Sequence, residues 1–77
     1  MTEKEIAEKI AKIAYDAVGA ELNEEENLKE SGIDSLSLVA VIVAIEEAFG
    51  VAFSDDDLDP ANLITLDDLV RITRQYQ

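Results

Sequence analysis

The stretch Gly32-Ile33-Asp34-Ser35-Leu36-Ser37-Leu38-Val39-Ala40-Val41-Ile42-Val43-Ala44-Ile45 decides how this chain folds. From Leu36 to Ile45 no side chain is charged and only Ser37 is polar, in a protein that is otherwise strongly acidic. A Val/Ile-rich run suits a buried strand as well as a helix. Three features favour helix. The run extends to Phe49, well past the roughly 4–8 residues of an ordinary strand. Asp34 is a good N-cap, and Gly50 suits the position just past a helix end. Leu38, Ile42, Ile45 and Phe49 recur at spacings of four, three and four, with a second stripe, Leu36, Val39 and Val43, beside them. The spacing therefore predicts a helix over Asp34–Phe49. A helix apolar on so much of its circumference must be surrounded or must present one face to a partner.

Working outward, Thr2–Val18 reads as a first helix. Ile6, Ile10, Ile13, Ala14 and Ala17 fall on one face. Thr2 with Glu5 forms a capping box, and Gly19 suits a left-handed end. Gly19–Asp34 is a long connection, pinned by Leu22 and Leu28, and long loops tend to be functional or to contain short structure. Val51–Thr65 is a connector with a short helix: Ser54 and Asp57 form a second capping pattern, and Pro60 stops that helix or starts a further turn. Thr65–Tyr76 is the last helix, with Thr65 and Asp68 as its box and Leu66, Leu69, Val70 and Thr73 on one face. Asp67 and Asp68 at its start and Arg71 and Arg74 near its end complement the helix dipole. Val39, Val43, Ala44 and Ile45 with Ile10 and Val70 are the simplest core. The expectation is an all-α fold, a small four-helix bundle of three long helices and one short one, with residues 1–77 forming a single domain.

Composition narrows the function. Eighteen acids against six bases give a net charge of −12. Such a chain repels phosphate backbones and anionic membranes, so neither nucleic acid nor membrane is an expected partner. The absence of cysteine and histidine removes disulfides, thiolate metal sites and the commonest general base. The hydrophobic share of 48% is too high for a disordered acidic tail. With no cationic start followed by an apolar stretch, and no apolar run long enough to span a bilayer, the chain reads as a soluble, monomeric cytoplasmic protein. Asp55-x-Asp57-x-Asp59 resembles the start of a calcium loop, but Pro60 and Leu66 stand where such a loop needs glycine and a bidentate glutamate. A solvated acidic helix start is the reading, and no metal site is expected.

Asp34-Ser35-Leu36 can be ordinary capping, with Ser35 merely occupying the first turn. A nucleophilic serine needs a base, and Ile33-Asp34-Ser35-Leu36-Ser37 lacks the glycines of a nucleophile elbow. What remains is a serine whose hydroxyl is the substrate of another enzyme. A phosphodiester formed there would sit at a helix N-terminus, where free N–H groups and the dipole favour an anion.

At this point the chain resembles a known family. Leu28-Lys29-Glu30-Ser31-Gly32-Ile33-Asp34-Ser35-Leu36-Ser37-Leu38-Val39 is similar to the segment around the modified serine of acyl carrier proteins. Ile45-Glu46-Glu47-Ala48-Phe49-Gly50-Val51 resembles the end of their second helix. Leu58-Asp59-Pro60-Ala61-Asn62-Leu63 and Thr65-Leu66-Asp67-Asp68-Leu69-Val70 resemble their third and fourth helices. The resemblance implies a 4′-phosphopantetheine arm on Ser35, flanked by Asp34 and Leu36, and carriage of acyl groups as thioesters for fatty acid, polyketide or related biosynthesis. An aminoacyl or peptidyl carrier is the variant within the class. An unmodified acidic helical adaptor is the alternative outside it. The implied partners are a phosphopantetheinyl transferase, an acyl-loading ligase or acyltransferase, and synthases of the ketosynthase type, with no catalysis by the chain itself. Three positions depart from the pattern: Ser31 stands where leucine is frequent, Ser54 where proline is, and Ala40 where fatty-acid-synthesis carriers usually have glutamate. No acid lies between Asp34 and Glu46. Docking is therefore expected on an apolar face around Leu36, Ala40 and Val41, with Glu46 and Glu47 as the nearest charges, and specialised pathways gain weight.

Overall fold

The computed structural model describes residues 2–76. Helix α1 spans Glu3–Val18, α2 Ser35–Phe49 and α3 Leu66–Gln75. Local sequence starts and stops each of them. The Thr2 hydroxyl accepts the Glu5 N–H at 3.1 Å, and the Glu5 carboxylate accepts the Thr2 N–H at 3.0 Å. Gly19 then closes α1 at φ +72°, its N–H bonding to the Tyr15 carbonyl, a conformation that costs a residue without Cβ little. The Thr65/Asp68 box opens α3 in the same way.

Helix α1 is the shared partner, packing against both α2 and α3. It buries Ile6, Ile10 and Ala14, while Ile13 is half-buried and Ala17 exposed, so the buried stripe is narrower than the sequence spacing predicts. From α2 the core takes Leu38, Val41, Ile42 and Ile45, and from α3 Leu66, Leu69, Val70 and Thr73. The buried Thr73 hydroxyl donates to the Leu69 carbonyl at 2.8 Å, which removes the penalty of an unmade bond. Val39 and Val43 are not core residues. Both are exposed, and Ala44 is half-buried.

The expected short helix is instead two 3-10 turns, Asp55–Leu58 and Pro60–Asn62. Pro60 starts the second of them. The capping box expected at Ser54 does not form. The Asp57 N–H bonds to the Ser54 carbonyl, the short closure of a 3-10 turn, and the Ser54 hydroxyl donates to the Asp57 carboxylate at 2.9 Å. The same carboxylate accepts the Tyr76 hydroxyl, and Tyr76 packs edge-on against Phe53. The connector is thus clasped to the far end of α3, and the clasp has redirected the carboxylate. No helix among the described residues is long and apolar enough to cross a membrane.

Candidate functional site

Ser35 is the first residue of α2, and its position is fixed from both sides. Asp34 precedes it in extended backbone, and its carboxylate accepts the Ser37 N–H at 2.8 Å. That bond, followed by the Ser37 hydroxyl and the Leu36 N–H, holds the Asp34 carboxyl below its ordinary value of 3.8. Capping is complete without Ser35. Its side chain is exposed, and no hydrogen bond engages its hydroxyl among the described residues.

On the N-terminal side the chain from Asn27 to Ile33 forms a tight series of turns. The Asn27 carboxamide accepts the Glu30 N–H at 2.8 Å, and the Glu30 carboxylate accepts the Asn27 N–H at 3.0 Å. This reciprocal pair is a capping box in all but helix length. Its N-x-x-E signal was readable in the sequence. Gly32 sits at φ +93°, where a side chain would be strained although nothing lies within 4 Å to crowd one. Leu28 and Ile33 anchor the turns in the core, and the Leu28 N–H bonds to the Ile64 carbonyl at 2.8 Å. Ser31 donates its hydroxyl weakly to the Asn27 carbonyl at 3.4 Å, so at this position a polar tether replaces an apolar anchor. Leu22 is only half-buried.

These turns, the start of α2 and the Pro60–Ile64 segment enclose an open groove of about 480 Å³ directly beside Ser35. Leu28, Ile33, Leu38 and Leu63 give it an apolar floor, and Asn27, Lys29 and Asp34 stand along it. A primary hydroxyl open to solvent at the mouth of such a groove fits a covalently attached, extended and partly apolar arm. Among the described residues lining the groove, Asp34 is the one carboxylate, and it is exposed and engaged with the Ser37 N–H.

The docking residues expected from sequence separate into two sets. Leu36 is 84% exposed, and Ala40 and Glu47 are exposed as well. Val41 is fully buried, at 0%, and cannot dock a partner. At about 100° per residue it lies about 140° round the helix from Leu36, on the side of Ile45 and Leu38. Glu46 is half-buried and accepts the Phe53 N–H at 2.9 Å, so it ties the connector to α2 instead of standing free. Two residues first placed in the core are exposed instead: Val39 is 59% exposed and Val43 45%. With Leu36, Ala40 and Glu47 they occupy a single arc of about 100°.

Comparison with known proteins matches this geometry. The family model described as "Phosphopantetheine attachment site" matches residues 4–72. An acyl carrier protein of Sinorhizobium fredii is 32% identical over 77 residues, covering 95% of this chain and 96% of that protein. Acyl carrier protein AcpP of Rhizobium meliloti gives the same identity and coverage. The crystal structure of an acyl carrier protein from Thermotoga maritima superposes with a TM-score of 0.81 at 25% identity, over 96% of this chain and 88% of that one.

Proposed function

The chain belongs to the acyl carrier proteins, the family of the phosphopantetheine attachment site, and from that premise we propose that Ser35 is the residue to which the arm is joined. The protein is a carrier and not an enzyme, and its prosthetic group is 4′-phosphopantetheine. The observation that carries the assignment is the free, exposed Ser35 hydroxyl at the start of α2, beside an apolar-floored groove. When attached, the arm supplies a terminal thiol, and with it the thioester linkage that a chain without cysteine cannot make.

The residues around Ser35 divide the work. Asp34 holds the helix start, so modification of its neighbour leaves the cap intact. A carboxyl held below its ordinary value is a weak base, so Asp34 does not deprotonate Ser35. The hydroxyl proton passes to a base on the phosphopantetheinyl transferase as the Ser35 oxygen attacks the pantetheine-side phosphorus of coenzyme A, breaking the pyrophosphate link and releasing adenosine 3′,5′-bisphosphate. The Asn27–Glu30 pair and Gly32 keep the preceding turns fixed, so Ser35 is presented at one place. Leu36, Val39, Ala40 and Val43 form the face on which the transferase, the acyl-loading ligase or acyltransferase and the ketosynthase-type enzymes dock, with Glu47 at its far end. Tethering turns each encounter with those enzymes into one at high local concentration.

The cargo is an acyl group of fatty acid, polyketide or related biosynthesis, carried by the single domain 1–77 in the cytoplasm. The uncharged face of α2 favours a specialised pathway, because partners that dock a carrier through basic residues find no acid between Asp34 and Glu46. Incubation with coenzyme A and a competent phosphopantetheinyl transferase tests the assignment. The mass of one arm should appear on the parent chain and be absent from Ser35→Ala. A parent that gains no mass with any competent transferase overturns it in favour of an unmodified adaptor.

A further inference from the structure

The positive charges of this protein are few and unevenly placed. Lys4, Lys9 and Lys12 lie on α1, and Arg71 and Arg74 on α3. The arginines are engaged with Asp67, Asp68 and Glu3, and Lys9 lies over the Phe49 ring. Lys29 is the sixth base, and it stands on the groove that Ser35 and Asp34 also line. Its backbone is fixed, since its carbonyl accepts the Gly32 N–H at 3.1 Å within the Asn27–Glu30 turns. The adjacent acid, Glu30, points its carboxylate at the Asn27 N–H. Among the described residues no carboxylate lies within ion-pair distance of Lys29, although acids outnumber bases three to one. Lys4, Lys9 and Lys12 are likewise without an ion pair among the described residues, so what distinguishes Lys29 is its place on the groove beside Ser35 and Asp34.

Attachment at Ser35 places a phosphodiester one residue from the Asp34 carboxylate. That carboxylate already occupies the Ser37 N–H, one of the donors a helix start would otherwise offer a new anion. The added negative charge also falls on a chain whose net charge is already −12. Left to Asp34 alone, the base of the arm would be repelled outward, away from Leu38 and Leu63. We infer that Lys29 is the positioning residue for the phosphodiester, its ammonium offsetting Asp34 and holding the base of the arm over the groove between the 27–33 turns and the Pro60–Ile64 segment. This rests on the assignment of Ser35 as the attachment residue. An ammonium suits the task, because a phosphodiester is an acceptor of both point-charge and hydrogen-bond contact.

The test compares apo and loaded forms of the parent, Lys29→Gln, Lys29→Glu and Lys29→Arg. Mass spectrometry first establishes loading at Ser35, and thermal unfolding then gives the change in Tm on loading for each chain. Loading should be less stabilising in Lys29→Gln than in the parent by about 2–4 °C, the size expected of one exposed ion pair in a domain this small. Lys29→Glu should show a larger deficit, and Lys29→Arg should restore the parent value. The deficit should shrink in about 1 M salt, where the Debye length falls to about 3 Å. A purely structural role for Lys29 would move the apo and loaded Tm together and leave the difference unchanged. Equal loading shifts in all four chains, each with full mass gain, overturn the role of Lys29 alone. A parent that gains no mass overturns both the attachment assignment and the ion pair built on it.

Discussion

Ser35 and Asp68 show two opposite ways in which one residue can matter. The Ser35 hydroxyl makes no bond within the described residues and Asp34 caps α2 without it. Ser35→Ala should therefore change stability by no more than about 0.5 kcal/mol, while uptake of the arm falls to nothing; a large loss of helicity in that variant would show that the serine is structural. Asp68 has the opposite character. It is largely covered by its neighbours, and burial pushes its carboxyl up. The N–H groups of Ile64 and Thr65, at 2.9 and 3.0 Å, the Thr65 hydroxyl and the Arg71 guanidinium pull it down further, and the net shift is below the ordinary 3.8. A lowered carboxyl binds its proton more weakly folded than unfolded, so its ionised form stabilises the fold. That contribution is complete above about the unfolded value and is lost as pH falls through the lower folded one. The gap in Tm between the parent and Asp68→Asn should accordingly be widest at neutral pH and close progressively below 3.8. A gap that widens with acid would reverse the sign assigned here. The sequence singles out Ser35 as the candidate because Asp-Ser-Leu stands with Gly32 and an apolar helix in an order that resembles the carrier family. The load on Asp68 was legible only in part: its box with Thr65 is three residues long, but the bond from Ile64 depends on how the connector arrives.

Among the elements, α2 is where sequence and structure part, and the reason is contrast. On α3 the polar and apolar faces differ sharply, and all four residues placed inside by spacing, Leu66, Leu69, Val70 and Thr73, are buried. On α2 the ten residues from Leu36 to Ile45 are nearly all apolar, so periodicity cannot say which arc turns inward. Packing against α1 makes that choice, burying Val41 and exposing Val39 and Val43. The same distinction explains the caps. The boxes of α1 and α3 close within three residues and were readable, whereas Ser54 lost its box to Tyr76, which lies 22 residues away in sequence. Paired substitutions measure the orientation of α2. Val41→Ala should cost about 2 kcal/mol, from two lost methyl groups and the cavity they leave. Val39→Ala should fall within about 0.5 kcal/mol. Equal costs would mean that the helix is rotated from the orientation described. Val39→Glu and Ala40→Glu should keep the fold but change how readily the transferase, the ligase and the synthase accept the protein. Unchanged turnover with every cognate partner would place docking elsewhere on the surface.

For the whole molecule the governing quantity is charge confined to a small volume. Twelve uncompensated negative charges lie within principal extents of 27 × 25 × 20 Å. Two unit charges about 20 Å apart repel by about 0.2 kcal/mol even at the dielectric constant of water, and the excess acids form many such pairs. Opposing them, the described residues offer the ion pairs of Arg71 with Asp67 and Asp68 and of Arg74 with Glu3, all reaching solvent on their basic side. Exposed pairs contribute at most about 1 kcal/mol each. Unfolding lets the acids separate, so their repulsion weighs more on the compact state, and screening should favour folding. The scale on which it acts follows from size. At about 0.01 M salt the Debye length is about 30 Å, longer than the molecule, and at about 0.1 M it is about 10 Å, close to the 10.9 Å radius of gyration. The Tm at neutral pH should therefore rise most steeply between those two concentrations and level off above about 0.3 M, where repulsion across the molecule is already screened. Relief of about 1 kcal/mol corresponds to about 4–8 °C in a domain of this length. Sodium chloride titrations followed by circular dichroism at constant pH measure the curve. A Tm that is flat or falls across that range would mean that the local pairs of α3 outweigh the repulsion of the whole.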